Sequence, residues 1–212
     1  MTRLQRTVSI VCASSALAAL APLIPAPQVK AAQTIYNTSM PAVIRVAIRE
    51  NNPSGEPDPR GRIMYVEAVP FTTYCEDVLP NEWFPSWHPE ALKAGAMAVK
   101  MFAWYHHLHP VTIDGFTFDV DNTTNFQHFQ EMSSQPTTNA AFQAIQKLAY
   151  TKPNGEIVEL NYSAGYENDP NWQYRNAQKM AQWGSEYWAR RGQTYLQILQ
   201  FYYQNRALMR LP

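Results

Sequence analysis

"PEALKAGAMAVKMFAWYHHLH", Pro89 to His109, decides how this chain folds. Leu92, Ala96, Val99 and Phe102 share one helical face, and Ala91, Ala94, Ala98 and Met101 make another. Nearly the whole circumference is apolar, the pattern of a helix surrounded by protein. Pro89 stands where a first turn tolerates it, because that N–H has no intrahelical acceptor. Glu90, Lys93 and Lys100, with Met97 between the lysines, fall on one polar stripe. Such a stripe faces either solvent or a cleft, and the sequence leaves those two readings level.

Just upstream, "VLPNEWFPSW" (Val78 to Trp87) sets one carboxylate, Glu82, among proline and aromatic residues. A glutamate beside large apolar groups is partly desolvated, which raises its pKa and suits a general acid. The plainer reading has every aromatic turned inward and Glu82 alone turned out.

The remaining segments complete a mixed pattern. "AVIRVAIRE" (Ala42 to Glu50) alternates as a strand, with Ile44, Val46 and Ile48 on one face. A turn-rich stretch from Asn51 to Gly61 leads to a second strand, Arg62 to Val69. "FTTYCEDVL" (Phe71 to Leu79) leads into the Glu82 motif, and Val111 to Gln130 reads as strand, then loop. Thr137 to Tyr150 reads as a capped amphipathic helix, and "KPNGE" (Lys152 to Glu156) as a hairpin turn into "IVELNYSAGY". Two helices close the chain, roughly Ala177 to Arg191 and Thr194 to Asn205, with Thr194 as a cap. The expected class is α+β: a single mixed domain with a central buried helix, short strands and two C-terminal helices.

The N-terminus reads differently. Arg3 and Arg6 precede an apolar run, Val8 to Pro25, and "VKAAQ" offers a cleavage point after Ala31. Residues 1–31 are expected to be a secretory signal peptide, leaving a domain from 32 to 212. An uncleaved membrane anchor is the alternative, opposed by Pro22, Pro25 and Pro27. The chain carries 17 Lys+Arg and 17 Asp+Glu; cleavage removes Arg3, Arg6 and Lys30 but no acid. A nearly neutral protein of this kind lacks the basic patch that nucleic-acid binding needs. The C-terminal stretch is an exception, with Arg175, Lys179, Arg190, Arg191, Arg206 and Arg210 against Glu186 alone. Solvated helix faces are the ordinary explanation, and attraction to an anionic wall is the other. Cys12 leaves with the signal, so Cys75 has no disulfide partner and is read as a buried small side chain.

Three segments in order resemble the stage II sporulation protein D family, also called SpoIID/LytB. They are "YCEDVLPNEWFPSWHPEALKAGAMAVKMFAWY", "TTNAAFQAIQKLAYTKPNGEIVELNYSAG" and "NAQKMAQWGSEYWARRGQTYLQILQFYY", and the resemblance runs from about Val43 to Tyr203. In the family a tyrosine-led strand enters a Val-x-Pro-x-Glu element, whose glutamate corresponds to Glu82 here. The resemblance implies a secreted, wall-associated protein acting on peptidoglycan glycan strands. Its best-understood members are lytic transglycosylases, while others modify or enhance wall amidases.

One carboxylate suffices for that reaction, whereas a hydrolytic glycosidase needs two. The acid protonates the glycosidic oxygen, and the resulting carboxylate deprotonates the sugar's own 6-hydroxyl, leaving a 1,6-anhydromuramic end. Glu82 is the expected acid and base. Lys93 and Lys100 are expected to line the cleft, and Tyr162, Ser163 and Gln182 to position sugar. No cofactor is called for.

The chain also departs from the family. Lys100 replaces an arginine and loses the bidentate fork; Gly95 replaces a glutamine. Asp121, Asn125 and Phe126 stand where the family has a cysteine, a histidine and a second cysteine that contribute to a zinc site. Without thiolates a tetrahedral zinc site is not expected; Asp119, Asp121 and His128 read as hydrogen-bonded loop packing, with a weak metal site as the alternative. In the closing segment Asn176 replaces a histidine and Ala181 a serine, while Gln182, Trp183 and Gly184 are kept. Two readings remain: a divergent lytic transglycosylase, or a non-catalytic peptidoglycan-binding module or amidase modifier.

Overall fold

A computed structural model of the chain describes residues 39–212, and the expected signal peptide at 1–31 lies outside them. β1 (Val43–Arg49) buries Ile44, Val46 and Ala47, and β2 (Ile63–Pro70) returns antiparallel to it with an irregularity at Ile48/Arg49. The next segment is α1 (Phe71–Glu82), a helix where the family resemblance implied a strand. Phe71, Tyr74, Cys75, Val78 and Leu79 are buried at helical spacing, and that periodicity sets the element. Pro80 removes one N–H in the last turn; Asn81 Nδ2 donates to Asp77 O at 2.7 Å, and Trp83 N–H to Leu79 O at 2.8 Å. Glu82 therefore ends a helix instead of sitting in a loop.

α2 (Pro89–Leu108) is the axis of the molecule. His88 caps it, its Nδ1 accepting from Glu90 N–H at 3.2 Å. From Ala91 to Trp104 every residue except Lys93 is buried. β3 (Val111–Ile113) and β4 (Phe116–Phe118) form a hairpin, and β5 (Val120–Asp121) joins β1 in parallel, giving a sheet ordered β2-β1-β5.

α3 (Pro136–Ile145) packs against α2, then β6 (Leu148–Thr151) enters the expected turn. That turn closes, with Lys152 N–H to Glu156 O at 3.0 Å and Gly155 N–H to Lys152 O at 2.9 Å. The hairpin does not follow. Ile157, Val158 and Leu160 are all buried, so this stretch fills the core instead of alternating against β6. Beyond it, β7 (Asn161–Ser163) pairs in parallel with β8 (Lys179–Ala181).

The first closing helix starts later than expected, as α4 (Gln182–Ala189). Asn176 and Gln178 both hold φ near 58°, which breaks any helix from Ala177. α5 (Tyr195–Tyr202) has Thr194 as its cap, in a reciprocal box with Gln197. β9 (Ala207–Arg210) is the strand that pairs with β6. The mixed α+β class, the buried central helix and the two C-terminal helices are as expected.

Trp83 is buried against α2 at Gly95, where an added Cβ would lie 2.5 Å from the indole. The glutamine of the family pattern has no room there. Gly95→Ala gains about 1 kcal/mol of helix propensity. It also drives a methyl into a ring that cannot retreat, because Trp83 Nε1 donates to buried Ser185 Oγ at 3.0 Å. Overpacking of about 2–3 kcal/mol should prevail. Thermal unfolding of Gly95→Ala should show a lower midpoint than the parent; an unchanged or higher midpoint would mean that Trp83 moves freely.

Candidate functional site

Glu82 is brought to its place by three elements. α1 delivers it, the loop after β5 covers one oxygen and the start of α4 holds the other. Oε1 accepts from the His128 backbone N–H at 2.8 Å, and Oε2 from Gln182 Nε2 at 3.0 Å. Gln182 Nε2 also donates to the Glu82 carbonyl at 2.7 Å, clamping both side chain and backbone. The Tyr162 hydroxyl, from β7, is a further donor to the carboxylate. Behind Tyr162 stands Gln127, whose amide donates to the Tyr162 oxygen at 3.0 Å and to Val99 O at 3.3 Å. Gln127 Oε1 in turn accepts from the Tyr74 hydroxyl at 3.2 Å. One chain of side chains thus connects the carboxylate to the middle of the core.

The protonation balance follows from this setting. Burial raises the Glu82 pKa, and the His128 N–H, Gln182 amide and Tyr162 hydroxyl each oppose it; burial prevails and the carboxyl sits above its ordinary value. Tyr162 itself is pushed well up, chiefly by burial and then by the charge of Glu82, so it stays a protonated donor.

Aromatic side chains frame the site. Trp83 is core, edge-on to Tyr162 with centroids 4.9 Å apart. Trp87 is also core, at 4.7 Å from Trp183 and 5.3 Å from Phe84. Phe84, by contrast, is 56% exposed, and half-buried Trp183 lies 5.7 Å from it. Phe84 and Trp183 flank the two residues, Glu82 and Gln182, that form the clamp.

The expected site residues divide. Glu82, Tyr162 and Gln182 come together, though Tyr162 and Gln182 hold the carboxylate directly. Ser163 sits one residue beyond Tyr162 in β7, opposite Ala181 in the parallel ladder. Lys100 reaches no opening, and Lys93 lines an apolar one with Trp87, Pro89 and Leu92 whose walls do not include Glu82. Lys100 is 0% exposed and its Nζ donates to the carbonyls of Ile145 (2.9 Å), Gln146 (3.2 Å) and Leu148, capping the end of α3. Burial pulls its pKa down to about 7. Lys93 is paired with Glu90 at 2.6 Å, and the other Glu90 oxygen accepts from Tyr195 N–H at 2.7 Å, tying α2 to α5. The polar stripe is therefore an ion pair at one end and a buried cap at the other.

The family's zinc positions carry a different tie. Asp121 Oδ2 accepts from Arg49 Nε at 2.7 Å and from Asn125 Nδ2 at 3.2 Å, while Oδ1 accepts from Thr123 Oγ1 at 2.7 Å. Asp119 accepts from Arg45 Nη2 at 2.6 Å and meets His107 Nδ1 at 3.0 Å. His128 faces Glu56 at 3.7 Å. Among the described residues no group of three or more His, Cys, Asp or Glu is placed to hold a metal.

Sequence reading missed Gln127 and the backbone of His128. "FQHFQ" carries no period or motif that marks an amide behind a tyrosine, and a backbone donor leaves no trace in residue identity.

These features define an α+β domain presenting one poorly hydrated glutamate beside exposed aromatic surface. Residues 59–158 match the family model described as SpoIID, Stage II sporulation protein. That match covers a little under half of the chain and likens it to the SpoIID family. The match contains Glu82, Lys93 and Lys100; Tyr162, Ser163 and Gln182 lie beyond it. An uncharacterized protein of Brachyspira hyodysenteriae is 33% identical over 104 residues, 48% of this chain and 27% of that relative. The matched region therefore spans about a quarter of the relative's length.

Because the fold raises the Glu82 pKa, the ionised carboxylate costs stability. That cost is absent below the unfolded carboxyl value and grows as pH rises through the higher folded value. Glu82→Gln keeps an acceptor for His128 N–H and carries no charge. Its NH2 faces the Gln182 donor at every pH, so the linkage shows as a difference: urea unfolding should find Glu82→Gln gaining on the parent between about pH 4 and about pH 7.5, as the parent carboxylate ionises. A stability difference that does not change with pH would mean that Glu82 titrates alike in the folded and unfolded chain.

Proposed function

We propose that this chain is a secreted, wall-associated lytic transglycosylase that cleaves peptidoglycan glycan strands to 1,6-anhydromuramic ends, with Glu82 as both acid and base. The observation that carries the reading is a half-buried carboxyl with a raised pKa, clamped by Gln182, Tyr162 and the His128 N–H, beside exposed Phe84. Desolvation favours the proton-bearing form and the three donors favour the carboxylate, so both stages of an acid-then-base cycle lie within reach. Protonated Glu82 gives its proton to the glycosidic oxygen as the bond to the anomeric carbon breaks. The carboxylate then takes the proton of the same sugar's 6-hydroxyl, whose oxygen closes on that carbon. Phe84 and Trp183 offer faces for sugar stacking. Neither lysine figures among the influences on the Glu82 carboxyl, so no lysine charge opposes the acid form.

A second reading is a non-catalytic wall-binding module or a modifier of a wall amidase. It draws on the fact that both Glu82 oxygens already have protein partners.

The test is incubation with denuded glycan strands and mass spectrometry of the ends. The parent should produce 1,6-anhydromuramic ends, and Glu82→Gln should lose at least about a hundredfold in rate. Reducing ends would indicate hydrolysis, and no cleavage by the parent would favour the binding module. The rate should fall as pH rises through the Glu82 pKa, because the proton-bearing form acts first. Tyr162→Phe removes a donor that lowers that pKa, so the falling limb should move to higher pH. A limb that stays put would detach the profile from Glu82.

A further inference from the structure

A polar cleft, of about 430 Å³, opens between the end of α5, the loop before β8 and the start of β9. Arg175, Asn176, Gln200, Asn205 and Arg206 line it, together with Tyr150 and Tyr203. Glu82, Tyr162 and Gln182 are not among its walls. Two of the C-terminal arginines that the sequence left as solvated surface meet here, and neither forms an ion pair among the described residues. Arg175 stands over two rings, its guanidinium carbon 5.8 Å from the Trp172 ring centre and 6.0 Å from that of Phe201. Arg206 donates from Nη1 to the carbonyls of Gln204 (3.0 Å) and Asn205 (3.2 Å), and its Nε is buried with no partner. Gln200 Oε1 is likewise buried and unpartnered.

Two features of the surroundings act against an anion, and both are already answered. The carboxylate whose field reaches Arg206 is Glu156, engaged by Lys152 at 2.6 Å. The carbonyls at the end of α5 carry the negative pole of the helix, but Phe201 O accepts from Asn176 N–H at 3.0 Å and Tyr202 O from Gln178 N–H at 3.1 Å. The field left over the cleft is that of the two guanidinium groups.

We propose that this cleft binds a carboxylate that has an amide N–H beside it. A guanidinium pairs with a carboxylate through two parallel hydrogen bonds, and one standing over rings loses little entropy in doing so. The unpaired donor of Arg206 and the unpaired acceptor of Gln200 ask for a ligand that offers both an oxygen and an N–H. A phosphate diester supplies only oxygens and leaves Gln200 unmet. Both protein atoms are buried while their residues line the cleft, so pairing them takes a rotation of their side chains. A short peptide end has the required pair, and so does a muramic residue with its lactyl carboxylate and acetamido group. The wall reading bears only on which of these sources the cell provides; the chemistry of the cleft stands without it.

Calorimetric titration of the full chain tests this with acetyl-alanyl-alanine, its C-terminal amide, N-acetylmuramic acid and, as the phosphate, dimethyl phosphate. At least one of the two carboxylate probes should bind, and whichever does identifies the source. Arg175→Gln, a change on an exposed side chain, should weaken that binding about tenfold or more, as should amidation of the peptide. Gln200→Leu should weaken the carboxylate probe and leave phosphate unaffected. Glu82→Gln should bind as the parent does, which keeps this result apart from any failure of the catalytic proposal. Binding of phosphate as tight as that of either carboxylate probe, or no binding of any probe at tens of millimolar, would overturn the assignment. So would equal binding of the amidated peptide.

Discussion

The contact on which the rest depends is an indole ring lying on bare backbone. Trp83 follows Glu82 directly, and α2 accepts its ring only because Gly95 has no side chain to obstruct it. The ring nitrogen then fixes Ser185 Oγ, which donates to the Gln182 carbonyl at 2.6 Å. The same tryptophan that anchors the end of α1 therefore anchors the start of α4. Glu82 and Gln182 lie a hundred residues apart in sequence, yet their clamp is set by one shared core side chain. Apolar burial of a large ring supplies the energy, and two hydrogen bonds supply the direction.

Lys100 shows the same economy in a different place. A buried ammonium is costly unless its donors are met, and here three carbonyls converge on it where α3 gives way to β6. A compact three-donor head suits three carbonyls arranged around a point; the planar fork of an arginine suits a carboxylate. The exchange of arginine for lysine relative to the family pattern fits a cap and not a substrate contact. It also removes a conflict the sequence presents, since a cation beside Glu82 would lower its pKa.

Much of the fold was legible because periodicity reports burial. The Pro89–His109 pattern names α2 almost to the residue, and the Thr194 cap locates α5. What the sequence hid was set by tertiary partners. β6 seeks β9 across nearly sixty residues because Ile157, Val158 and Leu160 are needed in the core, and no local signal distinguishes that from a hairpin. α1 was hidden by Pro80, a helix breaker that this helix tolerates in its last turn. In the site, Glu82 stood out because charge among aromatics is unusual. Gln127 and the His128 N–H did not, because an amide and a backbone donor are common everywhere in sequence and acquire meaning only through position.

The Asp121 region holds its loop with an ion pair at the positions where the family pattern has metal ligands. Where the family pattern has thiolates and a histidine, this chain supplies a carboxylate and, from β1, a guanidinium. Arg49 Nη1 reaches the Gly61 carbonyl at 2.8 Å while Nε holds Asp121, so one side chain ties three segments as a metal ion would. Asn125 spans the same gap, from Asp121 to Pro59 O at 2.7 Å. This cross-link sits on the strand β5 from which the chain runs on through Gln127 to His128. Its work is to fix that loop, and through the loop to fix one N–H against Glu82. The ion pair between β1 and this loop therefore helps hold the N–H that faces the carboxyl, and its two charges satisfy each other.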